Sequence, residues 1–212
     1  MRVPLDLSLY LVLDPDLCAV HGLVETTRAA VAGGVTAVQL RDKKADTAHL
    51  VETGRALKAA LAGAGVCLIV NDDVQAAIAL EADGLHIGQD DMTALAARRM
   101  IGPDMVLGLS VETPQLAAAI DPSIVDYAGA GPVFATATKP GHKEPVGFPG
   151  LAEMVAVAPV PAVAIGGLKA NHARPVFAAG AAGLCVVSAI CGQPDPEAAA
   201  RLLADAIRKV RS

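Results

Sequence analysis

The sequence predicts an α/β fold, a single-domain (β/α)8 barrel spanning residues 1–212. Three observations predict it. Short, almost continuous apolar runs recur eight times, each is followed by an Ala-rich segment with helical spacing, and no linker or low-complexity stretch divides the chain. The runs are residues 9–14 (LYLVLD), 37–42 (AVQLRD), 67–72 (CLIVND), 84–89 (GLHIGQ), 106–111 (VLGLSV), 127–134 (YAGAGPVF), 162–167 (AVAIGG) and 183–188 (GLCVVS). Their length and apolarity suit parallel strands buried on both faces. Eight alternating units in 212 residues sit near the small end of the barrel range. A doubly wound open sheet is the structural alternative.

Between the runs, apolar residues fall at three- and four-residue spacing. The clearest helix covers 47–62, with Leu50, Leu57 and Leu61 on one stripe, Asp46 placed to cap it, and Gly63 and Gly65 to end it. Residues 23–42 and 50–72 read as two copies of one helix–turn–strand unit. One connection breaks the rhythm. Residues 135–148 (ATATKPGHKEPVGF) are too polar and too rich in Pro and Gly for a helix, and a loop of that length suits a lid or binding loop.

Composition limits the partners. Hydrophobic residues make up 53% of the chain, yet none of its runs approaches the roughly 18 apolar residues of a membrane span, so no membrane is expected. Aromatics at 2% and a net charge of −5 argue against nucleic acid, by base stacking or by phosphate contacts. Residues 1–7 lack the apolar core of a signal peptide, and Cys18, Cys67, Cys185 and Cys191 form no C-x-x-C pair. Buried free thiols in a reducing, cytoplasmic setting follow. Homo-oligomerisation is left open.

Polar residues gather at the C-terminal ends of the runs: Asp14, Gln39 to Lys43, Asn71-Asp72, Gln89 to Asp91, Ser110, Thr136 to Lys139, Gly166-Gly167 and Ser188. In a (β/α)8 barrel those ends converge on one mouth, where active sites form. Alternation puts Gln39, Arg41 and Lys43 on one face of the second strand, a pattern suited to a multiply charged anion. The alternative is an ion pair between Arg41 and Asp14. Asp72 and one of Asp90 or Asp91 come from neighbouring strand ends and suit magnesium, which takes one or two carboxylates with water and phosphate oxygens. The competing reading is helix capping by Asp72 or Asp73. His86 and His142 do not form a zinc pattern. Gly166-Gly167 and Ser188, after the seventh and eighth strands, suit a backbone phosphate cradle. The residues thus describe two anionic subsites and no covalent nucleophile.

In order along the chain, QLRDK, LIVNDD, GLHIGQDDM, GLSVET, GAGPVFATATKPG, AIGGL and VVSAI resemble the motif series of the thiamine-phosphate synthase family. The resemblance implies a (β/α)8 barrel that joins 4-amino-2-methyl-5-pyrimidinylmethyl diphosphate to 4-methyl-5-(2-phosphoethyl)thiazole, releasing pyrophosphate. It implies that Gln39, Leu40, Arg41, Asp42, Lys43, Asn71, Ser110 and Lys139 bind the pyrimidine diphosphate. Asp72 and Asp91 would hold Mg2+, and Thr136, Ala137, Thr138, Gly167, Val187 and Ser188 the thiazole phosphate. Arg41, Lys43, Ser110 and Lys139 would act in the reaction itself. Ala135 departs from the pattern, since many relatives carry Pro there. A thiazole tautomerase of the same barrel family, or a binding protein without catalysis, are the rival expectations.

Overall fold

The computed structural model describes residues 4–138 and 143–211. Eight parallel strands close into a barrel in sequence order. They are β1 (Leu9–Leu13), β2 (Ala37–Leu40), β3 (Cys67–Asn71), β4 (Gly84–Ile87), β5 (Val106–Val111), β6 (Tyr127–Ala130), β7 (Ala162–Ile165) and β8 (Gly183–Val186). The helices are α1 (Leu23–Ala32), α2 (Thr47–Leu61), α3 (Val74–Ala79), α4 (Ala94–Ile101), α5 (Pro114–Ala118), α6 (Gly147–Val157), α7 (Ala173–Ala178) and α8 (Pro196–Arg211). Pairing of β1 with β8, through Leu9–Leu184 and Leu11–Val186, closes the ring and excludes the open sheet.

Each strand begins at the residue the hydrophobic pattern predicts, but seven of the eight end earlier than the apolar runs. The cause is chemical. Polar and glycine residues at the run ends leave the ladder and turn into the mouth, so Asp14, Arg41, Asp72 and Gly166 sit on loops rather than strands. The connection after β6 is shifted rather than shortened: it runs over 131–146 instead of 135–148, because β6 ends at Ala130 and Gly147 and Phe148 already belong to α6.

Period-two alternation sorts the side chains into two cores. Leu9, Leu11, Val38, Leu40, Leu68, Leu85 and Leu107 face outward against the helices. Tyr10, Val12, Ala37, Ile69, Val106, Tyr127, Val163 and Cys185 fill the barrel interior. The helix predicted over 47–62 is α2, with Asp46 accepting from the His49 N–H and Leu50, Leu57 and Leu61 buried. All four cysteines are buried and free. Among the described residues no helix is long and apolar enough to cross a membrane.

Candidate active site

Local chain geometry carries the polar residues from the strand ends into one cavity at the C-terminal mouth. Gln39, Arg41, Lys43, Asn71, Asp72, Asp91, Ser110, Thr136, Thr138, Gly167, Val187 and Ser188 all line it. These are most of the residues predicted from the sequence, and they divide by position into two unlike sides.

On the side of β2 to β4 the groups are charged. Asp72 directly follows β3 with φ of 61°, a left-handed conformation that Asp tolerates better than most residues. Its N–H donates to the His86 carbonyl at 2.8 Å, and the Asp73 N–H donates to the Asn71 carbonyl at 2.7 Å. This tight turn aims the Asp72 carboxylate into the mouth. The capping role falls instead to Asp73, whose carboxylate accepts from the Ala76 N–H at the start of α3. Asp72 is thereby left to other work.

Lys43 donates to the Asp72 carboxylate, and the Asp72 and Asp91 carboxyl groups lie within hydrogen-bonding reach of each other. Burial, followed by the neighbouring Asp91, raises the Asp72 carboxyl above the usual carboxylate range; Lys43 opposes the shift. Asp91 also accepts from the Gly88 N–H at 2.7 Å, which fixes it from the β4 side. Asp90 is exposed and does not line the cavity. Among the described residues no histidine or cysteine joins the two converging carboxylates in a metal-ligand group, and their oxygens are donors of the kind a hard divalent cation takes. The residues present fit magnesium in that respect.

Arg41 lines the cavity, and among the described residues no carboxylate lies within ion-pair distance of it. Asp14, its expected alternative partner, accepts instead from the Leu17 N–H at 3.0 Å. Two predicted residues are turned elsewhere. The Leu40 side chain packs in the outer core. Asp42 accepts from the Lys44 and Ala45 N–H groups at 2.9 and 3.2 Å, which tightens the loop after β2.

On the side of β7 and β8 the groups are neutral. Gly166 and Gly167 have φ of 106° and 61°. A Cβ on Gly167 would lie 2.8 Å from both the Ala135 carbonyl oxygen and the Phe134 Cβ. Only glycine gives this turn without strain and lets an oxygen approach the backbone closely. In the same loop after β6, the Thr136 and Thr138 hydroxyls pair at 2.8 Å. Ala137 faces an adjoining recess shared with Thr136, Gly167 and Ser188. Lys139 and His142 lie outside the described residues.

Beneath the mouth lies a feature the sequence reading missed. Gln39 donates to the Tyr10 hydroxyl at 2.7 Å, Tyr10 and Tyr127 share a bond of 2.8 Å, Tyr127 bonds His86 Nδ1 at 2.9 Å, and His86 Nε2 bonds Ser110 at 2.9 Å. Burial raises both phenols well above their ordinary value, so they stay protonated. Alternation in LYLVL and YAGA could have shown both tyrosines pointing inward. Nothing in the sequence showed that they meet.

Fold and mouth together define a (β/α)8-barrel enzyme whose polar groups come from the C-terminal ends of its strands. Residues 9–190 match the family model described as thiamine monophosphate synthase. The chain is 51% identical to the thiamine-phosphate synthase of Xanthobacter autotrophicus and 48% identical to that of Azorhizobium caulinodans, with all of each chain covered. Among solved structures, the thiamine phosphate pyrophosphorylase of Pyrococcus furiosus superposes with a TM-score of 0.88 at 34% identity, covering 98% of both chains. A 3-hexulose-6-phosphate synthase, at TM-score 0.66 and 20% identity, shares the fold. The protein belongs to the thiamine monophosphate synthase family, and it is an enzyme of that family's transferase class.

Proposed function

We propose that the enzyme joins 4-amino-2-methyl-5-pyrimidinylmethyl diphosphate to 4-methyl-5-(2-phosphoethyl)thiazole, giving thiamine monophosphate and pyrophosphate, with magnesium as cofactor. The observation that carries this reading is the convergence of Lys43, Asp72 and Asp91, from three successive strand ends, across one cavity from Gly167 and Ser188. A charged site and a neutral one suit a diphosphate and a monophosphate, respectively. The full-length relatives named thiamine-phosphate synthase support the same assignment.

Asp72 and Asp91 would hold magnesium, which when bound supplies positive charge to the diphosphate oxygens. Arg41 and Lys43 bring two further cations to that end and stabilise charge as it builds on departing pyrophosphate. Asn71 and Ser110 orient the pyrimidine. Gly167 and Ser188 hold the thiazole phosphate so that the ring nitrogen, which carries no proton, faces the methylene carbon left by pyrophosphate. The work is positioning and charge stabilisation, so no nucleophile or general base is needed on the thiazole side.

The test mixes both phosphorylated substrates with enzyme and magnesium and follows pyrophosphate. Stoichiometric pyrophosphate and thiamine monophosphate are expected. Tight binding of the thiazole phosphate without pyrophosphate release would instead favour a tautomerase or a binding protein.

A further inference from the structure

The polar chain at the floor of the cavity has a direction. It joins five side chains on five strands: Gln39 on β2, Tyr10 on β1, Tyr127 on β6, His86 on β4 and Ser110 on β5. Each link is 2.9 Å or shorter. The interior is cut to fit it. A Cβ on Gly108 would lie 2.2 Å from the Tyr127 ring and 2.5 Å from His86 Nδ1, so the glycine makes room for their bond.

The Gln39 end sets the sense of every link. An amide nitrogen can only donate. Tyr10 therefore accepts from Gln39 and has one proton to pass on, which goes to the Tyr127 oxygen. Tyr127 in turn gives its single proton to His86 Nδ1. A neutral imidazole accepting at Nδ1 carries its proton on Nε2, so His86 donates to the Ser110 oxygen. The Ser110 proton is then the one left over, and Ser110 lines the cavity. At the other end, the Gln39 Oε1 has no partner among the described residues and is not sealed from the cavity.

We propose that Tyr10, Tyr127 and His86 are positioning residues that hold Ser110 as a hydrogen-bond donor and Gln39 as an acceptor, selecting a ring with an N–H donor on one side and an unprotonated nitrogen across from it. An amino-substituted nitrogen heteroaromatic has that pattern, and its protonated form does not. The inference rests on the pyrimidine substrate assigned above, but its physical content, the tautomer of His86, can be read without any substrate.

Nitrogen NMR of histidine-labelled protein at alkaline pH, with His86 assigned by comparison with His86→Asn, reads the tautomer directly. The wild type should show the Nε2–H form. Gln39→Glu can only accept at the far end, so every link should reverse and His86 should switch to the Nδ1–H form, three hydrogen bonds from the substitution. Tyr127→Phe keeps the ring but cuts the chain, and should give a mixture of tautomers. It should also raise KM for the pyrimidine diphosphate about tenfold, the worth of one hydrogen bond, with KM for the thiazole phosphate changed less than about twofold. Tyr10→Phe cuts the chain beside Gln39 instead, and should likewise mix the tautomers and raise KM for the pyrimidine diphosphate to a similar extent. An Nδ1–H tautomer in the wild type overturns the proposal. So does a tautomer unchanged in both Gln39→Glu and Tyr127→Phe. Absence of synthase turnover in the wild type would instead sink the functional reading and leave the NMR result to stand or fall by itself.

Discussion

Lys43, Asp72 and Asp91 bring formal charge to the β2–β4 side of the mouth, whereas Gly166, Gly167 and Ser188 on the β7–β8 side bring backbone and a hydroxyl. The charged side is held by side-chain contacts, among them the Lys43–Asp72 pair and the bond from the Gly88 N–H to Asp91. The neutral side is held by chain conformation, in two glycines at positive φ. On the proposed function, that difference would keep two phosphorylated ligands apart: a metal-assisted site would favour the ligand with more charge, and a site of N–H groups would accept a single phosphate without calling for a cation.

Removing a carboxylate breaks that comparison most severely. Asp72→Ala and Asp91→Ala should each lower magnesium-dependent turnover at least about a hundredfold. Binding of the thiazole phosphate should be unaffected, as measured by titration calorimetry. If both variants keep near-normal rates, the metal assignment is wrong. On the neutral side, Gly167→Ala forces a side chain into a left-handed position, at about 1–2 kcal/mol, and crowds the Ala135 carbonyl. It should raise KM for the thiazole phosphate about tenfold while leaving KM for the diphosphate within about twofold. Equal losses at both substrates would mean that the two sides are not separable.

A smaller effect follows from the raised Asp72 carboxyl. Its ionised form is disfavoured in the folded chain, so the folding penalty is present above the folded-state pKa and disappears as pH falls through it. Asparagine mimics the protonated form and tolerates the same φ. Metal-free Asp72→Asn should therefore melt above metal-free wild type at neutral pH, with the gain shrinking on acidification, and magnesium should stabilise the wild type alone. A variant that melts lower at every pH would show that the Lys43 pairing outweighs burial. The smallest effect is expected at Asp42, which serves the loop rather than the cavity. Asp42→Asn keeps the acceptor and should change KM for the diphosphate less than about twofold.

Much of this architecture was legible in the sequence because it is local. Hydrophobic runs set where each strand starts, and Asp46 marks the start of α2 through a bond only three residues long. Gln39, Arg41 and Lys43 could be placed on one face by alternation alone, and all three line the mouth even though β2 ends at Leu40. Leu40 obeys the same alternation and faces the outer core, so it can offer a ligand only its backbone. The relay was not legible, since Tyr10 and Tyr127 are 117 residues apart and meet only when the barrel closes. Residue types alone left Asp90 and Asp91 equivalent; Asp91 is drawn to the cavity by the Gly88 N–H, a turn-level detail that composition does not carry.

On the proposed function, the mouth holds one cation-dependent and one cation-independent phosphate site. Titration calorimetry of each substrate singly, with magnesium and with a chelator, tests it most directly. The account predicts that magnesium strengthens binding of the pyrimidine diphosphate and leaves binding of the thiazole phosphate unchanged. Diphosphate affinity indifferent to magnesium, or thiazole phosphate affinity that depends on it, would contradict the account.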